Sequence, residues 1–407
     1  MKKIKAFIIL LVLGIVSTES SFAVVSSDIL KGLIGNSETV TIPRDEYEKL
    51  LKYQKLDLLN EYVDYLYYGE VDHDAMLESA AMGLIAGIGD VYSSYYTKEE
   101  FEKFNEESEG VYAGIGCQLL ADPDDEMITV TRVFKGSPAD EAGILSGDKI
   151  VYVDETYYSA YDMDEAVRVM RGTPGETVKI TVLRKLKRLD FDIVRQQVTI
   201  NYVEHEILPQ NIGYVIVYDF MGNAAEGFKE AIDEFRSRQV SGVIIDLRNN
   251  GGGLVDIAVD MADQILPEGT VVSMKDKWGR ETKETIDDNY YNVPIAVLVN
   301  GYTASSSEIL TGAIRDNQAG VIVGKKTFGK GIVQSVFPFE DGSGIKLTTA
   351  WYFTPNGENI HEKGIEPDIE VDLDEEVITR YGINNLPHDQ DAQLQKAIEV
   401  LISEGNK

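Results

Sequence analysis

The chain holds a single cysteine, Cys117, so it can form no internal disulfide and offers no cysteine pair for metal or redox chemistry. Histidine is scarce as well: the four are His73, His205, His361 and His388, and no HxxH or HExxH spacing occurs. Basic side chains are outnumbered, 38 against 69 acidic ones, for a formal net charge of −31. A surface of that sign repels nucleic acid and anionic lipid, which removes both as partners of the folded body. The long apolar run is confined to the N-terminus, and neither an internal repeat nor a low-complexity linker is visible.

That N-terminal run has its own character. Lys2, Lys3 and Lys5 precede "AFIILLVLGIV", and "SFA", ending at Ala23, has the small-x-small pattern of a cleavage site. Residues 1–23 therefore read as a secretory signal peptide. The run is short for a membrane span, although left uncut it would tether the chain to a membrane. The expectation is an extracytoplasmic protein, secreted or attached to the cell envelope.

With 407 residues, 43% of them apolar, the chain can build two or three domains with proper cores. Residues 24–108 are helical in texture, with apolar residues at three- and four-residue steps in "RDEYEKLLKYQKLDLLNEYVDYLYYGEV" and "DHDAMLESAAMGLIAGI". Asp72 or Asp74 is placed to cap the second helix, and so apolar a pair suits a homodimerisation arm. Residues 109–189 carry short alternating strands around one helix, "DMDEAVRVMR", as a compact β-rich module does. Residues 190–375 alternate continuous apolar strands with amphipathic helices, the pattern of a helix-covered sheet. A helical segment, 376–407, closes the chain. The fold class expected is α+β and multidomain.

Chemistry concentrates at three places. The strand "IAVLV" ends at Asn300 and a helix begins near Ser305, so Ser305 stands beside amides that lack intrahelical partners. Those amides suit an oxyanion formed when a hydroxyl attacks a carbonyl, although a helix-start serine is commonly just a cap. A base is needed, and Lys330 is the candidate: burial would lower its pKa from about 10.4 and free the amine, whereas most lysines stay exposed. Gln334, four residues on, would share a strand face with Lys330 and hold it. The third place is "DLRNNGGG", whose Gly252 or Gly253 can bring a second oxyanion donor close, or merely form a turn.

In their order along the chain, "GIGDVYSSYYTKEEF", "GVYAGIGCQL", "VFKGSPADEAGILSGDKIVYVD", "MRGTPGETVKITVLR", "IIDLRNNGGG", "NGYTASSSEIL", "GKKTFGKGIVQ" and "FTPNGENIHEKGIEPDI" resemble the carboxyl-terminal processing, or tail-specific, proteases. The resemblance runs from about Leu51 to Leu401. It implies a ClpP/crotonase-like protease core and a Ser-Lys dyad: Ser305 as nucleophile, Lys330 as base, Gln334 as its helper, and the Ser306 amide with a loop glycine as oxyanion hole. No metal or cofactor is implied. The β-rich segment resembles a PDZ domain, whose "AGIG" loop would present Gly114, Ile115 and Gly116 to the terminal carboxylate of a protein or peptide substrate with an exposed C-terminus. Arg168 and Arg171, near "RGTPGETV", are candidates to couple that module to the core. Three departures stand out: Ser306 in place of alanine, Gly251 in place of proline, and Val91 in place of proline. A PDZ scaffold with a decayed protease core is the main rival reading. A trypsin-like PDZ protease lacks its GNSGG here, and a coenzyme A hydratase fits poorly with export.

Overall fold

A computed structural model describes residues 42–122, 125–383 and 386–404. The lysines, apolar run and Ala23 of the expected signal peptide lie outside the described residues. The chain divides into two units, residues 1–79 and 80–407.

In the first unit, α1 (Arg44–Leu66) starts after Pro43 with Asp45 and Glu46 in its first turn, where negative charge favours the helix N-terminus. No residue of α1 is buried, and Tyr47, Leu50, Tyr53, Leu56 and Tyr62 all face out. The second helix, α2 (His73–Ala86), is capped by Asp72 rather than Asp74: Asp72 Oδ1 accepts the Ala75 N–H at 3.0 Å.

The second unit opens on a correction to the all-helical expectation for 24–108. Residues Ser94–Tyr96 form a strand, β1, because their backbone pairs with the chain some 250 residues later, Tyr95 opposite Ile345. Helix α3 (Lys98–Glu109) follows, capped by Thr97 with Glu100 reaching back to the Thr97 N–H at 2.8 Å. A two-stranded ladder joins β2 (Val111–Gly114) to the later β9 (Gln196–Thr199).

Between those two strands lies the PDZ module. Its sheet has the order β3 (Cys117–Asp122), β4 (Met127–Val133), β5 (Lys149–Val153), β7 (Thr177–Arg184), β8 (Lys187–Val194), with β6 (Thr156–Tyr157) on β5. Alternate residues such as Ile128, Val130, Ile180 and Val182 point inward against α4 (Pro138–Ala142) and α5 (Met163–Met170). The last strand runs to Val194, opposite Thr177, so the module extends past the expected limit at 189.

The core sheet orders β10 (Val203–Leu208), β11 (Ile212–Val217), β12 (Val243–Asp246), β15 (Ile295–Val299), β16 (Gly320–Gly324) and β19 (Ile369–Glu370), all parallel except the first pair. Burial of both faces of the sheet explains why these runs are apolar throughout. Val243, Ile245, Val297 and Val299 face α6 (Ala224–Arg238), α7 (Val255–Asp263) and α8 (Ser306–Asp316). Ile244, Ala296 and Leu298 face the other way, onto α10 (Ala392–Glu404), which follows α9 (Glu375–Tyr381). A second sheet orders β1, β18 (Gly344–Phe353), β13 (Gly269–Asp276) and β14 (Glu281–Ile286), with β17 (Ile332–Pro338) on β18. The parallel sheet ends its strands where Ser305 begins its helix, and the second sheet delivers Lys330.

Candidate functional site

Strand β15 runs straight into the turn that carries three adjacent serines. That turn is pinned to the loop after β12: Asn300 Oδ1 accepts the Asn249 N–H at 3.0 Å, and Thr303 Oγ1 donates to the Leu247 carbonyl at 2.8 Å. Ser305 itself has φ 56° and ψ −119°, a conformation that costs a side-chain-bearing residue roughly 1–3 kcal/mol. The neighbouring hydroxyls are committed elsewhere. Ser306 Oγ donates to the Gly253 carbonyl at 2.9 Å, Ser307 Oγ to the Asn250 carbonyl at 3.0 Å, and both residues are fully buried. Ser305 is only half-buried; its carbonyl oxygen accepts the Glu308 N–H at 2.8 Å, and its hydroxyl donates to no group among the described residues. Of the three, Ser305 alone keeps a hydroxyl available for chemistry.

The glycine loop closes over it. A Cβ on Gly252, at φ 108°, would lie 2.7 Å from Ser305 Cβ and 2.8 Å from the Ser306 nitrogen, so only glycine fits. The loop thus brings Gly252 and Gly253 against Ser305 and Ser306, as the sequence pattern suggested. One expectation needs adjustment: the Gly252 N–H donates to Asn250 Oδ1 at 2.8 Å and is not offered to a ligand in this state. Asn250 is itself buried and held through Nδ2 to the Val217 carbonyl, which keeps that bond in place.

Sequence reasoning left out the residue that ties the site together. The buried Glu308 carboxylate accepts four hydrogen bonds, from the Ser305 N–H (2.9 Å), the Thr327 hydroxyl (2.5 Å), the Gly329 N–H (2.8 Å) and the Lys330 N–H (2.8 Å). Burial pushes its pKa up, and the four donors oppose that shift. One carboxylate therefore fixes the backbone of both Ser305 and Lys330. The signal was present as the Ser-x-x-Glu spacing of a capping box, from 305 to 308.

Lys330 is half-buried, with its Nζ 5.0 Å from the centre of the Tyr92 ring. Desolvation and the Lys346 charge hold its pKa below the ordinary lysine value, against the pull of Asp90 and Glu308. Gln334 does not share a strand face with it by simple parity. Lys330 precedes β17, on the glycine-flanked turn, so strand alternation does not relate the two side chains, and the extra residue at the register shift beside Gln334 is Thr349 of β18. The Gln334 amide instead sits 3.5 Å from Thr348 Oγ1. Among the described residues, no hydrogen bond joins Ser305 Oγ to Lys330 Nζ, nor Lys330 to Gln334. The histidines are occupied elsewhere: His205 with Glu234, His388 with Glu206, His73 with Asp64, and His361 accepting the Gly331 N–H at 3.3 Å.

A cavity of about 430 Å³ opens between β3 and α5 of the PDZ module. Gly114 and Ile115 line it together with Leu119, Phe134 and Val167, and Asp219 of the core faces the same space. Burial raises the Asp219 carboxyl to about 6. Gly116 shapes the loop from behind, its carbonyl accepting the Phe134 N–H and the Ser137 hydroxyl. The two arginines differ. Arg168 pairs with Glu165 on its own exposed helix turn, so among the described residues its expected coupling role finds no partner outside the module. Arg171 reaches Glu106 on α3 at 2.9 Å and lies over the Tyr112 ring.

Comparison with known proteins matches residues 211–371 to peptidase family S41 and residues 129–184 to the PDZ domain. A CtpA-like serine protease of Staphylococcus haemolyticus is 34% identical over 89% of this chain and 72% of its own. The carboxy-terminal processing protease CtpA of Bacillus subtilis is 33% identical over 86% of this chain and 75% of its own. A solved S41 protease structure from Bacteroides fragilis, 17% identical, superposes with TM-score 0.57 over 84% of this chain and 94% of that one, a likeness of fold.

Proposed function

This chain belongs to the S41 family of carboxy-terminal processing serine endopeptidases, and we propose that it is exported and cleaves proteins whose free C-terminal tails enter its PDZ groove. The observation that carries the reading is that, of the three adjacent serines, Ser305 alone donates its hydroxyl to no group among the described residues, at a strained strand-to-helix turn roofed by glycines. Neutral Lys330 takes the Ser305 proton as Oγ attacks the scissile carbonyl. The tetrahedral oxyanion is received by the Ser306 amide and an amide of the glycine loop. Lys330 then gives the proton to the departing amine, and water hydrolyses the acyl-enzyme by the same route in reverse. Gln334 orients the amine once the tail-bound state draws the two together.

Lysine below its ordinary pKa sets the sign of the pH dependence. The amine is a base only when neutral, so activity is expected to be lost as pH falls through the Lys330 pKa and to rise on the alkaline side, earlier than for an exposed lysine. Cleavage of an unstructured protein by the mature chain, followed across pH, measures this; a rate independent of pH would sink the lysine as base. The same assay with an amidated tail should run slower than with a free one, and equal rates would remove tail recognition. Arg171→Ala, which frees Glu106, should alter stimulation by tail peptide by no more than about fivefold, the scale of one partly exposed ion pair. Export is checked by sequencing the N-terminus of the protein from its cell, with residue 24 expected first.

A further inference from the structure

The turn before β1, part of "GIGDVYSSYYTKEEF", has no role in the reaction as described so far, yet it lies against the candidate base. We propose that Asp90 and Tyr92 are positioning residues for Lys330, forming a clasp that holds the ammonium and links it to Gln334. The inference rests on the Ser305–Lys330 reading and goes one step further.

The clasp is built locally and then anchored. Asp90 accepts the Tyr92 N–H at 3.0 Å and the Ser93 hydroxyl at 2.6 Å, which closes a tight turn and aims the Tyr92 ring at Lys330. Ser93 Oγ in turn accepts the Thr348 N–H at 3.1 Å, and Thr348 Oγ1 is the group facing the Gln334 amide. Pairing of Ser94 with Lys346 fixes the register of the turn on β18. A continuous set of contacts therefore runs from Asp90 through Ser93 and Thr348 to Gln334, and the Tyr92 ring of the same turn is the group against the Lys330 amine.

The charges around the amine work in opposition. Asp90 and Glu308 favour the ammonium, as does the face of the Tyr92 ring, while burial and Lys346 disfavour it. His361 lies against the Gly331 backbone next to it. Burial alone would raise the Asp90 carboxyl, but bonds from Ser93, Thr348 and Tyr92, together with the Lys330 charge, hold it below the usual range. Asp90 is thus an anion throughout the working range, and its removal should make Lys330 lose its proton more easily.

The test is the pH profile of kcat/KM for the full mature chain and three variants. Asp90→Asn keeps the shape and one acceptor oxygen for the Tyr92 N–H, replaces the acceptor of the Ser93 hydroxyl by an NH2 donor, and deletes the charge, so the acid limb should move to lower pH by about one unit. Tyr92→Leu keeps bulk but deletes the ring, and should move the limb the same way by less while lowering kcat. A limb that stays put in either variant, with the variant folded by circular dichroism, overturns the clasp. Lys330→Ala separates the two claims. If it is inactive and the limbs do not move, the clasp alone fails; if it still cleaves, the dyad fails and the clasp with it.

Discussion

Ser305→Ala is expected to reduce kcat by about 10⁴- to 10⁶-fold with little change in folding, and Lys330→Ala to fall in the same range. The two losses should not add, because each residue is useless without the other. Ser306→Ala is the informative contrast. Its hydroxyl only donates to the Gly253 carbonyl, so its loss should cost about 1 kcal/mol of stability and leave the Ser306 amide in place. Peptide hydrolysis by purified variants measures all three. Activity surviving in Ser305→Ala but gone in Ser306→Ala would transfer the nucleophile's role to the neighbour, against the bonding pattern of the turn.

Arg248→Ala should cost about 3–5 kcal/mol of stability, which urea unfolding of the full chain would register as a lower midpoint. The guanidinium is almost fully buried and bonds Asp246 through Nε and Nη2, Asp391 through Nη1 and Nη2, and Gln393 through Nη1. Tyr214 adds a hydroxyl to Asp246 at 2.7 Å. Removing the cation strands two buried carboxylates, and that uncompensated charge, more than any lost contact, sets the size of the effect. The same residues join the start of α10 to the end of β12, just ahead of the glycine loop, so activity should fall at temperatures where the fold still holds. An unfolding free energy within about 1 kcal/mol of the parent would show that the network is not what fastens α10.

How much of this could be read along the chain differs by element. Strands Met127–Val133 and Thr177–Arg184 bury the alternate apolar residues of their pattern, Ile128 and Val130 in one and Val178, Ile180 and Val182 in the other, and the helix at 224–238 matches its amphipathic period. Local pattern sufficed there because each face has one fate, core or solvent. The strand at Ser94–Tyr96 escaped notice since three residues carry no period, and its partner lies far away in sequence. Parity misled for Gln334 because Lys330 lies on the turn ahead of β17, where strand alternation does not yet apply. Arg168 and Arg171 look equivalent in sequence; only the position of Glu106 separates them.

The sequence by itself determined the order of modules, the strand-to-helix turn that presents three serines, and a lysine on a glycine-flanked turn within reach of a hairpin. Hydrophobic periodicity and turn chemistry act over a few residues, so these features are written locally. The tertiary structure decided which serine keeps its hydroxyl, that Glu308 braces both Ser305 and Lys330, and that the Tyr92 ring stands beside the amine. Those outcomes depend on bonds between groups far apart in sequence, Lys330 to Glu308 across 22 residues, Ser306 to Gly253 across 53 and Thr348 to Ser93 across 255, whose distances arise only when the sheets pack. Burial then sets the charge of each group, and burial is a property of the folded whole.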